Sequence, residues 1–270
     1  MLTLIRKTLK PIYYYCTSST YRRFIYFVGK ARGTARYEPR NIKLCGKPFR
    51  VVDMLSFAYQ YEEIFCQENY LFPATRVPHI IDCGANVGTS VLYFAKQYPG
   101  AHINAFEADP EVFSVLQENV AAQGLQNVCV VQKAIWVDDQ GILFHQEGAD
   151  GGAITQSASS AKTVSIPSIR LKTFLEEYKH SIDLLKIDIE GAEVTVLRDA
   201  QNVLHKVNAL FVEYHSFHDE QQELGALLSL LSEAGFRYYT STINARIKPL
   251  FPPRRDMPMD LQVNVFAYRV

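Results

Sequence analysis

The chain has 270 residues, of which 48% are hydrophobic and 21% are charged, and its 28 basic and 28 acidic side chains give a formal net charge of zero. This length suits one large α/β domain with an N-terminal extension, and the composition is ordinary for a protein with a sizeable core. The balanced charge gives no indication of a nucleic-acid partner.

Charge is distributed unevenly along the chain. The first 36 residues contain eight Lys or Arg and no Asp or Glu, so the remaining residues carry a net charge of −8. Aromatic side chains accompany the basic ones in this arm. We predict an extension over residues 1–40, an amphipathic helical segment that packs on its own domain or on a second subunit, and one domain over residues 41–270. The alternative role of the arm is peripheral contact with an anionic membrane.

The apolar and cysteine patterns indicate the compartment. No run approaches the ~20 apolar residues of a membrane span, and Lys7, Lys10 and Pro11 interrupt the apolar core that a signal peptide needs. The five cysteines are odd in number and have no CxxC spacing, which favours neither a disulfide framework nor a zinc site. We expect a cytoplasmic protein, with membrane-peripheral placement as the alternative.

Apolar runs of strand length alternate with amphipathic helical patterns from residue 79 onward. Strands are predicted over residues 79–83, 102–106, 128–135, 183–189, 209–214, 236–242 and 262–269. Helices are predicted over residues 89–98, 110–123, 171–178, 193–204 and 219–234. The glycine-rich residues 148–160 are predicted as a mobile loop and a candidate substrate lid. The order of elements predicts a doubly wound α/β fold with seven strands in a mostly parallel sheet.

Two polar segments at strand ends predict a nucleoside-binding site. The first strand leads into Asp82 and the loop Gly84, Ala85, Asn86, Val87, Gly88, and the second ends at Glu107. Open α/β sheets bind ligands at these carboxyl ends, and the Glu107 carboxylate suits the two hydroxyls of a ribose. The loop lacks the G-x-G-x-x-G pattern of dinucleotide sites. We therefore predict S-adenosylmethionine as the cofactor, with Asp82 near its methionine ammonium and with Gly84, Ala85, Asn86 and Gly88 in the binding loop.

Three segments resemble the FkbM family of methyltransferases: I-D-C-G-A-N-V-G at 81–88, A-F-E-A-D-P at 105–110 and L-K-I-D-I-E-G-A-E at 185–193. The resemblance covers roughly residues 40–270. It implies a Rossmann-like sheet of seven strands with the last strand antiparallel, S-adenosylmethionine as methyl donor, and O-methylation of a sugar or natural-product hydroxyl. It also implies that Ala134 lies beside the adenine. Ala108 departs from the family, which often has Pro there, and we expect no loss of cofactor binding.

Polar residues at the ends of the fourth and fifth strands are the predicted catalytic group. His215 is the predicted general base because imidazole titrates near neutral pH, although a hydrogen bond to a carbonyl would also explain it. Asp188 is the predicted cofactor or substrate ligand. Glu190 shares a face with Asp188, or caps the next helix instead, and Glu213 shares a face with His215.

Several functional alternatives stay open. A divalent metal held by Asp188, Glu190, Glu213 or His215 would activate a hydroxyl, and oxygen-rich ligands would suit magnesium or manganese; a metal-free site is the preferred interpretation. The predicted partner is a small-molecule, sugar or glycan acceptor, and a homo-oligomer is an open alternative. The competing functions are an NAD-type oxidoreductase on a similar fold and a non-catalytic binding or scaffold protein.

Overall fold

The structure, a computed structural model, describes residues 11–145, 153–154, 163–243, 248–251 and 259–270. Residues 11–17 are helical. They are followed by helix α1 (Ser19–Ala31), strands β1 (Arg40–Leu44) and β2 (Lys47–Val51), helix α2 (Met54–Tyr61) and a π-helical turn over Glu62–Cys66. The hairpin and α2 were not predicted, because their alternating or apolar stretches are too short to be recognised in the sequence alone.

Helix α1 packs on α2 and on the π-helical turn, and it shares one apolar cluster with the hairpin. Ser18 caps the helix by accepting a hydrogen bond from the Tyr21 backbone N–H at 3.1 Å. On the inner face of α1, the ring of Phe27 is buried and meets Phe57 and Tyr61 edge-on, with centroids 5.0 and 5.1 Å apart. The inner face of the predicted extension therefore shares one apolar cluster with residues of the predicted domain.

The remaining elements follow the predicted alternation. The strands are β3 (His79–Cys83), β4 (His102–Glu107), β5 (Val128–Gln132), β6 (Ala134–Trp136), β7 (Ile142–His145), β8 (Ala153–Ile154), β9 (Thr163–Ile166), β10 (Ser168–Arg170), β11 (Ile182–Ile187), β12 (Val207–Phe217), β13 (Arg237–Thr242) and β14 (Met259–Tyr268). The helices are α3 (Thr89–Gln97), α4 (Pro110–Gln123), α5 (Leu171–Glu177), α6 (Glu193–Ala200) and α7 (Leu224–Glu233).

The central sheet confirms the predicted fold. Its seven strands lie in the order β13-β14-β12-β11-β3-β4-β5. Strands β3, β4, β5, β11 and β12 pair in parallel, whereas β14 is antiparallel to both of its neighbours. From β3 the chain winds outward through β4 and β5 and then returns to β11 on the other side of β3. The strand order thus reverses between β3 and β11, where open α/β sheets bind their ligands.

Apolar residues on alternate positions of the strands bury both faces of the sheet. Ile80 of β3 packs with α3 and α4, whereas its neighbour Ile81 packs with α5, α6 and α7. Among the helices that the structure describes, none is long and apolar enough to cross a membrane. The predicted lid over residues 148–160 lies outside the described residues, apart from Ala153–Ile154, which pair with β7.

Several predicted boundaries were wrong. The third strand divides at Lys133, because residues 134–136 leave the central sheet to pair with β10. The fourth strand ends at Ile187 and the fifth continues to Phe217, so His215 lies within a strand. The helix predicted over 193–204 becomes a 3-10 turn after Ala200, and the helix predicted over 219–234 begins only at Leu224.

Candidate active site

The glycine loop between β3 and α3 is shaped by its protein neighbours. Gly84 and Gly88 have φ values of 85° and 91°, which side chains rarely adopt. A Cβ atom on Gly84 would lie 1.8 Å from the carbonyl oxygen of Asp188, and one on Gly88 would lie 2.8 Å from Leu116 Cδ1. Gly84, Ala85 and Asn86 line the large cleft at this edge of the sheet, whereas Gly88 does not.

Glu107 ends β4 with its carboxylate already oriented. One oxygen accepts the backbone N–H of Asn86 and the other accepts that of Asp109, both at 2.9 Å. Burial raises the pKa of Glu107 to about 7, against the lowering effect of these two bonds. Glu107 lines the cleft, and its oxygens keep further lone pairs for a pair of ligand hydroxyls.

Asp82 does not line the cleft. It is fully buried, accepts a 2.5 Å hydrogen bond from Ser90 and lies 3.1 Å from Lys186 Nζ. Lys186 Nζ also donates to the Gly84 carbonyl at 2.9 Å and lies 3.3 Å from Asp188. Asp82 therefore contacts the loop region through Lys186 and Ser90, and its contact with a methionine ammonium stays a prediction.

Lys186 is a functional residue that the sequence analysis missed. Burial alone would lower the pKa of Lys186, but Asp82 and Asp188 raise it well above its usual value, so the amine is charged. The signal was a single lysine in the middle of an apolar strand, because an interior lysine needs charged partners.

The ends of β11 and β12 bring three predicted residues together. One donor atom from each of Asp188, Glu213 and His215 lies within 4.8 Å of the other two. Glu213 and His215 share a face of β12, as the alternation predicted. Burial, together with repulsion from Glu213, raises the pKa of Asp188 to about 6. From β14, the Gln262 amide donates to Glu213 and lies 3.3 Å from His215 Nε2.

His215 is held by Glu193, a second residue that the sequence analysis missed. His215 Nδ1 lies 3.1 Å from Glu193 Oε1, and this same oxygen accepts the backbone N–H groups of Ile189 and Gly191. Both side chains are only 1% exposed. Because the Nδ1–H points at Glu193, Nε2 points toward the cleft.

The surroundings of His215 affect its predicted role as a base. Burial lowers the pKa of His215, but its hydrogen bond to Glu193 and the nearby carboxylates raise it well above its usual value. The carboxylates that hold the ring therefore favour its protonated form, and this preference competes with the predicted role of His215 as a base.

Glu190 faces His215 and does not cap the next helix. Its Oε2 lies 3.6 Å from His215 Nε2, and its φ of 54° is unusual for a side chain of this size. Ala192 is the N-cap residue of α6 and no side chain caps this helix, whereas Glu193 accepts the loop N–H groups of Ile189 and Gly191. Glu190 was predicted either to share the face of Asp188 or to cap the next helix, and the geometry favours the first role.

A cleft of about 960 Å³ joins the glycine loop to this strand-end group. Its opposite wall comes from α2 and the π-helical turn, which contributes Glu63. Burial, followed by repulsion from Glu213 and Asp188, raises the pKa of Glu63 to about 8. Ala134 also lines the cleft, but its backbone N–H is bonded to the Pro167 carbonyl at 2.9 Å and is not free for an adenine. The sequence analysis did not find Glu63, because the π-helical turn that aims it has no clear pattern.

The sheet order, the glycine loop and the acidic residue that ends the second strand together define a Rossmann-like α/β methyltransferase. Residues 82–238 match the family model described as "Methyltransferase FkbM domain". The chain belongs to this family and is a methyltransferase, which sets aside the alternative of an NAD-type oxidoreductase.

Three relatives show what the chain is similar to. It is 28% identical to the 2-O-methyltransferase NoeI of Sinorhizobium fredii, over 57% of this chain and 71% of the relative. It is 25% identical to the 31-O-demethyl-FK506 methyltransferase FkbM of Streptomyces tacrolimicus, over 72% and 85% of the two chains. It is 28% identical to the hexuronic acid methyltransferase AglP of Haloferax volcanii, over 57% and 61%.

Proposed function

We propose that the protein transfers the methyl group of S-adenosylmethionine to a hydroxyl of a sugar or glycan. The observation that carries this proposal is that Glu107 and the group Asp188, Glu213 and His215 line the same cleft. One end of the cleft suits a nucleoside, and the other end suits a hydroxyl that must lose a proton.

The charge of the cleft supports this cofactor. Its lining contains seven acidic residues (Glu62, Glu63, Glu107, Asp109, Asp188, Glu190 and Glu213) against three basic ones (Arg36, Lys133 and Lys186). Of the basic residues, Lys186 is engaged by Asp82, Asp188 and the Gly84 carbonyl. S-adenosylmethionine supplies the methyl group on a positively charged sulfonium. A pyrophosphate would be repelled by the same carboxylates. Glu107 and the loop residues 84–86 would hold the nucleoside, and Asp188 would lie near the cationic part.

The names of the relatives support a hydroxyl acceptor. Two of them are named as O-methyltransferases and one as a hexuronic acid methyltransferase. A sugar hydroxyl is a poor nucleophile while protonated, so it needs a proton acceptor near the methyl group. His215 and Glu190 are the two candidates, because His215 Nε2 and Glu190 Oε2 lie 3.6 Å apart beside the cleft.

Calorimetric titration with S-adenosylmethionine, with NAD as the control ligand, tests the cofactor. Methyl transfer from labelled cofactor to a panel of free, nucleotide-linked and lipid-linked sugars then tests the acceptor. The variant His215→Ala should lose turnover while it keeps its cofactor affinity, and His205→Ala is the matched control because His205 is exposed and bonds only the Asn202 carbonyl in the structure. Cofactor binding without transfer to any hydroxyl would favour the non-catalytic alternative. Unchanged turnover in His215→Ala would exclude this residue from the reaction.

The outer face of the N-terminal helices supports a second role, peripheral binding to an anionic membrane. Such binding would bring a cytoplasmic enzyme close to a lipid-linked acceptor. This face exposes Ile12, Tyr13, Tyr15, Ile25 and Tyr26, and the same segment exposes Arg22, Lys30 and Arg32. Aromatic and basic side chains on one helical surface suit the lipid–water interface.

Co-sedimentation of the full chain with phosphatidylcholine vesicles, with and without phosphatidylserine, tests this role. Binding should need the anionic lipid and should fall in the double variant Lys30→Glu, Arg32→Glu. The substitutions leave the buried face of α1 intact. Two results would argue against this membrane contact. One is equal sedimentation of the wild type with vesicles that contain phosphatidylserine and vesicles that lack it, and the other is equal sedimentation of the wild type and the double variant.

A further inference from the structure

The arrangement of Asp188, Glu213 and His215 has the features of a metal site. We infer that these three residues bind one divalent cation, of the magnesium or manganese class, at the acceptor end of the cleft. This inference rests on the proposed function only in one respect, namely that the cation would activate the acceptor hydroxyl. Among the residues that the structure describes, no other group of His, Cys, Asp and Glu brings three ligand atoms this close together.

The contacts of His215 Nε2 with the neighbouring carboxylates are long for hydrogen bonds. His215 Nε2 lies 3.5 Å from Glu213 Oε1 and 3.6 Å from Glu190 Oε2, beyond the usual N–H···O distance. Ligands about 2.1 Å from a magnesium ion lie about 3 Å apart when adjacent and about 4 Å apart when opposite. A cluster whose donor atoms all lie within 4.8 Å needs only small side-chain shifts to reach that geometry.

The orientation of His215 is the second, independent observation. Its side chain is 1% exposed, and its Nδ1–H is directed at the buried carboxylate of Glu193 at 3.1 Å. Histidines that bind metals almost always give their second ring N–H to a carboxylate or carbonyl, which fixes the ring and aims the other nitrogen at the ion. Gln262 holds Glu213 in a comparable way.

The charge around the cluster also favours a cation. Besides Asp188 and Glu213, the carboxyl groups of Glu63 and Glu190 face it, and the amine of Lys186 is shared with Asp82 and the Gly84 carbonyl. A bound cation would offset the repulsion among these four acidic groups. Oxygen-rich ligands with one imidazole suit magnesium or manganese.

Asp188, Glu213 and His215 would hold the cation, which would make an acceptor hydroxyl more acidic. The proton of that hydroxyl would pass to a carboxylate oxygen of Glu190, whose Oε2 lies 3.6 Å from His215 Nε2. The acceptor oxygen would form a bond to the methyl carbon as the carbon–sulfur bond breaks, and the sulfur would keep the electron pair as a neutral thioether. In this arrangement His215 is a ligand and Glu190 is the proton acceptor.

Titration of the full, chelator-treated chain with Mn²⁺, followed by electron paramagnetic resonance, tests the inference without measuring activity. The wild type should bind one Mn²⁺, with and without S-adenosylmethionine. His215→Ala and Glu213→Gln should lose binding at least tenfold, and Glu193→Gln should weaken it about 10- to 100-fold because it disturbs the ring that presents Nε2. His205→Ala is the control with unchanged binding, and circular dichroism checks that each variant is folded.

The outcomes separate this inference from the proposed function. A wild-type protein that binds S-adenosylmethionine but no Mn²⁺ would overturn the metal site and leave the proposed methyl transfer standing. A protein that binds Mn²⁺ but no S-adenosylmethionine would keep the metal site and overturn the proposed methyl transfer. Equal Mn²⁺ affinity in the wild type and His215→Ala would place any bound ion elsewhere and would also overturn the inference.

Discussion

Substituting Gly84 by alanine should destabilise the protein strongly, because two effects act at one position. A residue with a side chain at a φ of 85° costs about 1–2 kcal/mol. In addition, the new Cβ would lie 1.8 Å from the Asp188 carbonyl oxygen, so the loop and the end of β11 must separate by more than about 1 Å. This movement stretches the 2.9 Å hydrogen bond from Lys186 to the Gly84 carbonyl, and bonds to charged groups contribute about 1.5–3 kcal/mol. We expect Gly84→Ala to lower the free energy of unfolding by about 3 kcal/mol or more.

Urea denaturation followed by far-UV circular dichroism measures this loss. The matched control is Gly225→Ala, since Gly225 is exposed in α7 and a Cβ there meets nothing within 4 Å. Alanine is the better helix former, so this variant should be as stable as the wild type or up to about 1 kcal/mol more stable. A Gly84→Ala variant with an unchanged midpoint would refute the claim that the loop and β11 are in close contact.

Three further predictions test other parts of the molecule. Glu107→Gln should raise the calorimetric Kd for S-adenosylmethionine about 10- to 100-fold, because one charged hydrogen bond to the ribose is worth about 1.5–3 kcal/mol; an unchanged Kd would place the ribose elsewhere. In the ligand-free wild type, the pKa of Glu107 is raised from 4.5 to about 7, so its contribution to stability is present below pH 4.5 and is lost as the pH rises through 7. The midpoint temperature of thermal unfolding should therefore decrease as the pH rises from 5 to 8, and it should decrease less in Glu107→Gln. An equal decrease in the two proteins would contradict this. Phe27→Ala should cost about 3–5 kcal/mol in urea denaturation, whereas Tyr26→Ala, at an exposed site on the same helix, should be nearly neutral; a neutral Phe27→Ala would mean that α1 folds apart from the domain.

The order of the fold could be predicted from the sequence because it depends on local patterns. Each apolar run of β3, β4 and β11 ends in an acidic residue or a glycine turn, and the helix after β4 has its own stop at Gly124. The boundaries that were wrong depend on distant partners. Residues 134–136 leave the sheet because β10 is available, and β12 continues past Tyr214 because β14 pairs with it as far as Phe217.

The site was predictable where it lies at strand ends and hidden where it depends on packing. Asp188, Glu213 and His215 could be placed together because parallel strands end at one edge of the sheet. Glu193 looked like an ordinary first-turn helix residue, and only the folded loop shows that it holds His215. The sequence also showed no sign that Asp82 lies 3.1 Å from the buried amine of Lys186, because the two residues are 104 positions apart.

The position of β14 in the sheet has a consequence for synthesis. This strand lies between β12 and β13, both of which precede it in the chain, and it contributes Gln262 to the cleft. At ribosomal speed, the roughly 50 residues between the ends of β12 and β14 take about 3–10 s to be made. During that time the edge of β12 has no partner, and an unpaired edge is open to pairing with other chains. The nascent protein therefore exposes this edge of β12 until β14 has emerged.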